Sequence, residues 1–253
     1  MRLGWHFARG LATALFVFPF GTPARRAAEI RRWSRTLIEL VGVRLHVHGS
    51  LPRGGMPVLV VANHVSWLDV FAVLAVHAVR FVSKSEIRAW PVMGYLAARS
   101  GTLFLQRDRS RHAHRIGHEM ADALRAGDVV AIFPEGTTTD GTRVLPFHAS
   151  LLQPAITTGA LVQPVAIRFL RSDGTVCTEV AYDGDRTLAE TVRYPFAGHP
   201  VHAHVHFLEP IPAAALSRRA LAAAAAGAIA SSLGLPAPDR ESRRSPGPRG
   251  ASQ

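Results

Sequence analysis

The chain has 253 residues, 48% of them hydrophobic, and a formal net charge of +11 at pH 7. These numbers support a globular body with one sizeable core, or a core plus an appended element. The positive charge is nearly all arginine, with Lys84 the only lysine, but no zinc-finger or helix-turn-helix pattern accompanies it, so nucleic-acid binding is set aside. Cys177 is the only cysteine, which excludes an intramolecular disulfide and fits a cytosol-facing protein.

The N-terminus opens with an apolar run, Leu11 to Phe20, preceded by Met1 to Gly10. Together they approach the roughly 20 residues of a membrane span, but His6, Arg9, Gly10 and Pro19 interrupt them. A signal peptide is the competing reading, with Arg2 and Arg9 as its charged region and Ala24 near a cleavage site. The next segment argues against it. From Ala24 to Val43, Ala27, Ile30, Trp33, Leu37 and Leu40 or Val41 recur at helical spacing, and Arg25, Arg26, Arg31, Arg32 and Arg35 fill much of the rest. An apolar helix beside a basic amphipathic one predicts a two-helix, membrane-docking segment over residues 1–43.

The middle of the chain alternates strand-like and helix-like stretches. Strands are predicted at Arg44 to His48, Val58 to Ala62, Phe81 to Ser83, Leu103 to Leu105, Val129 to Phe133, Val162 to Phe169, Val176 to Tyr182 and Val201 to Leu208. Helices are predicted at Trp67 to Val76 and at Ser110 to Ala126, whose stripe is Ala113, Ile116, Met120 and Ala123 or Leu124, stopped by Gly127. This is an α/β pattern: a mixed sheet flanked by helices. A catalytic domain is predicted over 44–212 and an alanine-rich C-terminal helix over 213–235. Residues 236–253, rich in Pro, Gly, Ser and Arg, are predicted to be a disordered tail.

The chemistry gathers where strands end. Asn63-His64-Val65-Ser66-Trp67-Leu68-Asp69 puts a histidine just past a strand and a carboxylate in the first turn of the next helix. Such a pair takes a proton from a hydroxyl and drives acyl or similar group transfer. Ser66 invites a Ser–His–Asp reading, but no nucleophile-elbow pattern surrounds it. Further along, Gly101-Thr102-Leu103-Phe104-Leu105-Gln106-Arg107 puts an arginine past a strand, and Phe133-Pro134-Glu135-Gly136-Thr137 puts a carboxylate and a glycine past another. Val162-Gln163-Pro164-Val165-Ala166 opens a third.

In this order the blocks resemble those of the glycerolipid acyltransferases, the lysophosphatidic acid acyltransferase family: NHxxxxD, GxxFxxR, FPEGT and a proline-centred fourth block. The resemblance spans about Val41 to Leu208 and includes Lys84-Ser85-Glu86 and Pro91-Val92-Met93-Gly94, where the family carries a similar run. It implies an acyltransferase fold and a reaction in which His64 is the general base, held by Asp69, and an acceptor hydroxyl attacks the thioester of acyl-CoA or an acyl-carrier protein. No obligatory acyl-enzyme, cofactor or metal is implied. Arg107 is expected to meet an acceptor phosphate, since a guanidinium forks onto phosphate oxygens. Glu135 is carried over as an acceptor-site residue that pairs with Arg107 or contacts glycerol hydroxyls. Gly101, Phe104, Gly136, Thr137 and Arg143 join the substrate-binding set, and Pro164 shapes a tunnel wall or positions an oxyanion site.

The sequence departs from the family where an acceptor phosphate is expected. Thr137-Thr138-Thr139-Asp140-Gly141 replaces the usual Arg-Ser, and Phe147-His148-Ala149-Ser150 replaces Phe-Lys-x-Gly-Ala, with Arg143 a possible substitute cation. The run Glu135 to Leu152 is closer to a bacterial branch that acylates lyso-ornithine lipid. The first expectation is acylation of the sn-2 hydroxyl of 1-acyl-glycerol-3-phosphate to phosphatidic acid. Another lysolipid such as lyso-ornithine lipid is the alternative, and a hydrolase or a non-catalytic lipid-binding protein is more remote. The implied partners are a lipid bilayer, a lysolipid and an acyl thioester, at the cytoplasmic face of a bacterial inner membrane.

Three alternating histidines, His202, His204 and His206, share one strand face, as do His46 and His48. A His-x-His pair suits a metal. With no carboxylate or cysteine partner evident, a solvated strand face is expected, and the helix histidines His112, His114 and His118 are read as surface.

Overall fold

The computed structural model describes residues 2–105 and 110–239. Its centre is an eight-stranded sheet made of β1 (Val43–His48), β2 (Val58–Ala62), β3 (Arg80–Lys84), β4 (Leu103–Leu105), β5 (Val129–Ile132), β6 (Leu161–Arg171), β7 (Val201–Phe207) and β8 (Ile211–Pro212). The order is β1-β7-β6-β2-β5-β3-β4, with β8 paired to β6. Strands β4, β3, β5, β2 and β6 run parallel, so their C-terminal ends share one edge of the sheet. β7 runs antiparallel to β6, and β1 is parallel to β7. The sheet is therefore mixed, as expected.

Central strands must be apolar on both faces when helices cover both. β2 obeys this, with every residue from Val58 to Ala62 buried. One face packs on α2 (Pro23–Leu40) and α3 (Leu68–Leu74), through Leu37, Ile38, Leu68, Phe71 and Val73. The other packs on α5 (Ser110–Arg125), α6 (Gln153–Thr158) and α8 (Arg218–Ser232), through Ile116, Met120, Ala155, Leu221, Ala225 and Ile229.

The N-terminal segment is two packed helices. α1 (Arg2–Ala12) runs through a π turn, Thr13–Val17, and a 3-10 turn, Phe18–Phe20, before Pro23 starts α2. The pair is locked reciprocally: the His6 ring contacts the Trp33 carbonyl at 3.0 Å, and the Trp33 indole N–H donates to the His6 carbonyl at 3.2 Å. Gly10 permits this crossing, because a Cβ there would lie 2.4 Å from the Trp33 indole nitrogen. Trp5, Leu15, Phe16 and Phe20 are left exposed. No helix among the described residues is long and apolar enough to cross a membrane.

Two expectations change. The strand predicted at Val176 to Tyr182 is a single bridge, Leu170 to Val176, followed by a 3-10 turn at Thr178–Val180. The buried residues are Cys177, Val180 and Ala181, a helical rather than an alternating spacing. Arg171 holds the turn by a forked pair to Glu179 and a bond to the Val176 carbonyl at 2.7 Å. The helices α4 (Met93–Arg99) and α7 (Leu188–Phe196), with α6, were not anticipated. The C-terminal helical region begins with a 3-10 turn at Ala213–Ala215, and α8 starts only at Arg218, capped by the Ser217 hydroxyl. Of the tail predicted to be disordered, 240–253 lie outside the described residues.

Candidate active site

The site is built on the segment between β2 and α3. Leaving the sheet, the chain is first pinned by Asn63. Its side-chain amide donates to the Ile167 carbonyl at 2.9 Å and its oxygen accepts the Ile167 N–H at 2.8 Å. The side chain thus pairs with β6 as another strand residue would. This lets β2 stop at Ala62 without orphaning buried backbone groups.

His64 follows. The Asp69 carboxylate, fully buried in the first turn of α3, reaches back under it. Oδ2 of Asp69 accepts the Val65 N–H at 2.7 Å and the Ser66 N–H at 2.8 Å, and lies 2.8 Å from His64 Nδ1. An oxygen that already accepts two N–H groups receives a third, so Nδ1 carries the hydrogen and Nε2 keeps its lone pair. The imidazole also stacks on Phe133, with centroids 3.9 Å apart and planes 9° apart. Phe133 stacks in turn on Phe81, at 5.3 Å. About a fifth of the His64 side chain remains exposed, at 21%. A base fixed on two sides with one nitrogen open is suited to take a proton from a bound hydroxyl.

Glu135 arrives from the end of the neighbouring strand β5. Its two oxygens go to backbone: Oε1 accepts the His64 N–H at 2.8 Å and Oε2 accepts the Leu145 N–H at 2.9 Å. The expected partners, Arg107 or an acceptor hydroxyl, are thus preceded by two backbone amides. Burial pushes the Glu135 carboxyl up to about 8, against the pull of those two N–H bonds, with nearby Asp69 raising it further and Arg143 lowering it. Around it, the Thr139 N–H donates to the His64 carbonyl at 2.8 Å, the Tyr182 N–H donates to the Val65 carbonyl at 2.8 Å, and the Thr138 hydroxyl bonds the Tyr182 carbonyl. The histidine loop therefore has its backbone groups taken by three other segments.

The other sequence-predicted residues divide. Gly136, at φ +77°, turns the chain so closely over His148 that a Cβ would sit 3.0 Å from its ring. Thr137 and Arg143 are exposed beside this turn. Pro164 is buried within β6, in register with Val61, and falls between the residues of β6 that pair with β7 and those that pair with β8. That gap needs no N–H from Pro164, and the Gln163 amide fills it by bonding the Leu208 carbonyl. Gly101 and Phe104 belong to the far edge, on or next to β4, with β3 and β5 between them and β2. The Gly101 carbonyl accepts from Arg80 at 2.9 Å, and the Phe104 ring lies under the Arg88 guanidinium at 5.6 Å. Arg107 lies outside the described residues. Ser66 is fully buried, which leaves no exposed hydroxyl for a Ser–His–Asp reading.

Sequence reasoning missed Asn63 and Phe133 as positioning residues. The signal for Asn63 was a buried amide at a strand end, where a side chain substitutes for a ladder partner.

An Acyltransferase family model matches residues 43–168. A lyso-ornithine lipid O-acyltransferase of Pseudomonas aeruginosa is 38% identical over 223 residues, 88% of this chain and 84% of that protein. The chain belongs to the acyltransferase family. A 1-acyl-sn-glycerol-3-phosphate acyltransferase of Neisseria meningitidis is 37% identical to this acyltransferase over 162 residues, 64% of each chain. The crystal structure of the 1-acyl-sn-glycerophosphate acyltransferase PlsC from Thermotoga maritima has the same fold, with a TM-score of 0.68 over 92% of this chain and 93% of that one at 20% identity.

Proposed function

We propose that this acyltransferase moves an acyl group from a thioester to the hydroxyl of a lysolipid, with His64 as general base. The observation that carries the reading is His64 held at 2.8 Å by the buried Asp69 with Nε2 left open. In the proposed step Nε2 takes the hydroxyl proton as that oxygen attacks the thioester carbonyl. The tetrahedral adduct collapses, the C–S bond breaks, and the proton passes from His64 to the leaving thiolate. Asp69 holds the tautomer and stabilises the imidazolium. Glu135 is a positioning residue that fixes the His64 backbone.

Of the two acceptors, lyso-ornithine lipid is preferred. The similarity to the Pseudomonas aeruginosa protein extends over most of both chains, and at the turn against Gly136 this chain has His148 where a lysine suits a phosphate. A specific feature favours 1-acyl-glycerol-3-phosphate as the second reading: β4 ends at Leu105, two residues before Arg107 in the sequence, and its C-terminal end shares a sheet edge with those of β2 and β5, which lead to His64 and Glu135.

The proposed location is a membrane surface, with Trp5, Leu15, Phe16 and Phe20 entering the acyl boundary while Arg25 and Arg26 meet anionic headgroups. The acyl donor is acyl-CoA or an acyl-carrier protein. The test is mass spectrometry of the products from a mixed lysolipid pool with several acyl-CoAs. Acylated ornithine lipid as main product supports the first acceptor and phosphatidic acid the second. Free fatty acid alone, at the same rate without lysolipid, contradicts both.

A further inference from the structure

The strand face set aside in the sequence is not a row of independent solvated rings. In the parallel pairing of β1 with β7, Arg44, His46 and His48 lie opposite His202, His204 and His206. All project to the same side of the sheet, because residues two apart share a face. That side is opposite the one where Val43, Val201, Ala203 and Val205 are buried. The rings pack on each other: His46 on His204 at 4.6 Å and 12°, His48 on His204 at 5.6 Å and 6°, and His48 on His206 at 4.2 Å and 27°. His46 Nε2 and His202 Nδ1 lie 2.9 Å apart, a contact that needs one nitrogen as donor and the other as acceptor. Neutral imidazole is the form that ligates metals.

Among the described residues, His48, His204 and His206 each offer a ring nitrogen, and these nitrogens all lie within 4.8 Å of one another. Two tetrahedral ligand atoms at about 2.1 Å from an ion are about 3.4 Å apart. His48 Nε2 and His204 Nδ1 are already 3.4 Å apart, a poor hydrogen bond but the right edge for such a site. We propose that His48, His204 and His206 bind a divalent transition-metal ion of the imidazole-preferring class, such as zinc, on the open face of the β1/β7 pair. Three neutral nitrogens leave at least one position for water, and the absence of carboxylate or thiolate from the set disfavours calcium, magnesium and copper(I). Arg44 and Arg168 share the face and repel a cation, so binding is reversible rather than a permanent structural zinc. Since β1 is the outermost strand and contributes only His48, the ion ties the sheet edge to β7.

The test uses the full chain, purified without a histidine tag. Zinc is titrated by calorimetry at pH 7.5, cobalt(II) by its visible absorption, and unfolding is followed with zinc and with chelator. The expected result is one ion per chain, binding weakened at least about tenfold in His48→Gln and about a hundredfold in the double variant His48→Gln, His206→Gln. His118→Gln is expected to bind as the parent does. Zinc should raise the Tm of the parent but not of the double variant. Because a variant can fail to fold, the parent chain is also modified with diethyl pyrocarbonate: zinc should protect His48, His204 and His206 selectively. Undiminished binding in a folded double variant, no binding at millimolar zinc, or no selective protection would each overturn the proposal.

Discussion

Asp69 Oδ2 lies 2.8 Å from His64 Nδ1 while also accepting the N–H groups of Val65 and Ser66. One buried oxygen thus both shapes the loop and sets the tautomer of its histidine. Its companion Oδ1 is buried with no hydrogen-bond partner, so the carboxylate is committed through one atom.

Asp69→Asn separates those two jobs. The amide oxygen can replace Oδ2 toward all three N–H donors, with the amide nitrogen at the Oδ1 position. The loop survives, but the negative charge that would stabilise an imidazolium in the proposed step is gone. The expected outcome is a fall in kcat of about 10²–10⁴-fold with little change in KM. Steady-state kinetics with acyl-CoA and lysolipid, beside an unchanged circular dichroism spectrum, check it.

Glu135→Gln acts through His64 instead. Glu135 accepts one N–H on each oxygen, from His64 and from Leu145. A glutamine accepts only one, and its amide then faces the other N–H. The loss is about 1–3 kcal/mol of stability, read as a lower Tm, with a kcat loss from the displaced histidine. The parent also carries a pH signature. Its carboxyl is raised from 4.5 to about 8 in the folded chain. The folded state then holds a proton that the unfolded state has released, so this contribution is complete below about 4.5 and declines as pH rises to about 8. The slope is at most about 1.4 kcal/mol per pH unit, and Glu135→Gln should flatten it in unfolding curves taken across that window.

Asn63→Ala tests the clamp on β6. It strips partners from both the N–H and the carbonyl of buried Ile167. Chemical denaturation should show a loss of about 2–4 kcal/mol, since two buried backbone groups lose their bonds. Asn63→Asp keeps the acceptor, loses the donor and places a charge in the core, and should be no better.

Much of this was legible from residues alone. β2 was readable because a continuous apolar run between Pro57 and Asn63 matches a strand covered on both faces, and His64 and Asp69 because motif spacing crosses a single strand–helix turn. Where the chain relies on tertiary contacts, sequence pattern failed. Val176 to Tyr182 carries valine, threonine and tyrosine as a strand would, but Arg171 and Glu179 hold it as a 3-10 segment. α7 was missed although Thr187 and Glu190 form a capping box, because it is only nine residues long and contains Pro195. α6 carries Pro154 at its start and Gly159 in the left-handed conformation after its end, signals as local as those used elsewhere. The role of Glu135 was out of reach: no local pattern shows that its oxygens meet amides at positions 64 and 145.

The N-terminal helices give a prediction separable from chemistry. Phe16→Ser with Phe20→Ser removes two of the exposed apolar side chains while leaving the His6–Trp33 lock in place. Sedimentation with anionic vesicles should show at least about tenfold weaker binding, while turnover of detergent-dispersed lysolipid stays within a few-fold of the parent. Each buried phenyl ring is worth about 1.5–3 kcal/mol, enough for a clear change.

The central claim is that His64 is the base for acyl transfer to a lysolipid. The most direct measurement is single-turnover acylation by His64→Ala, with acyl-CoA and either lyso-ornithine lipid or 1-acyl-glycerol-3-phosphate, in a variant shown to retain the parent Tm within a few degrees. The predicted result is a rate at least about 10²-fold below the parent with the acceptor that the parent uses. A rate within a few-fold of the parent would contradict the assignment.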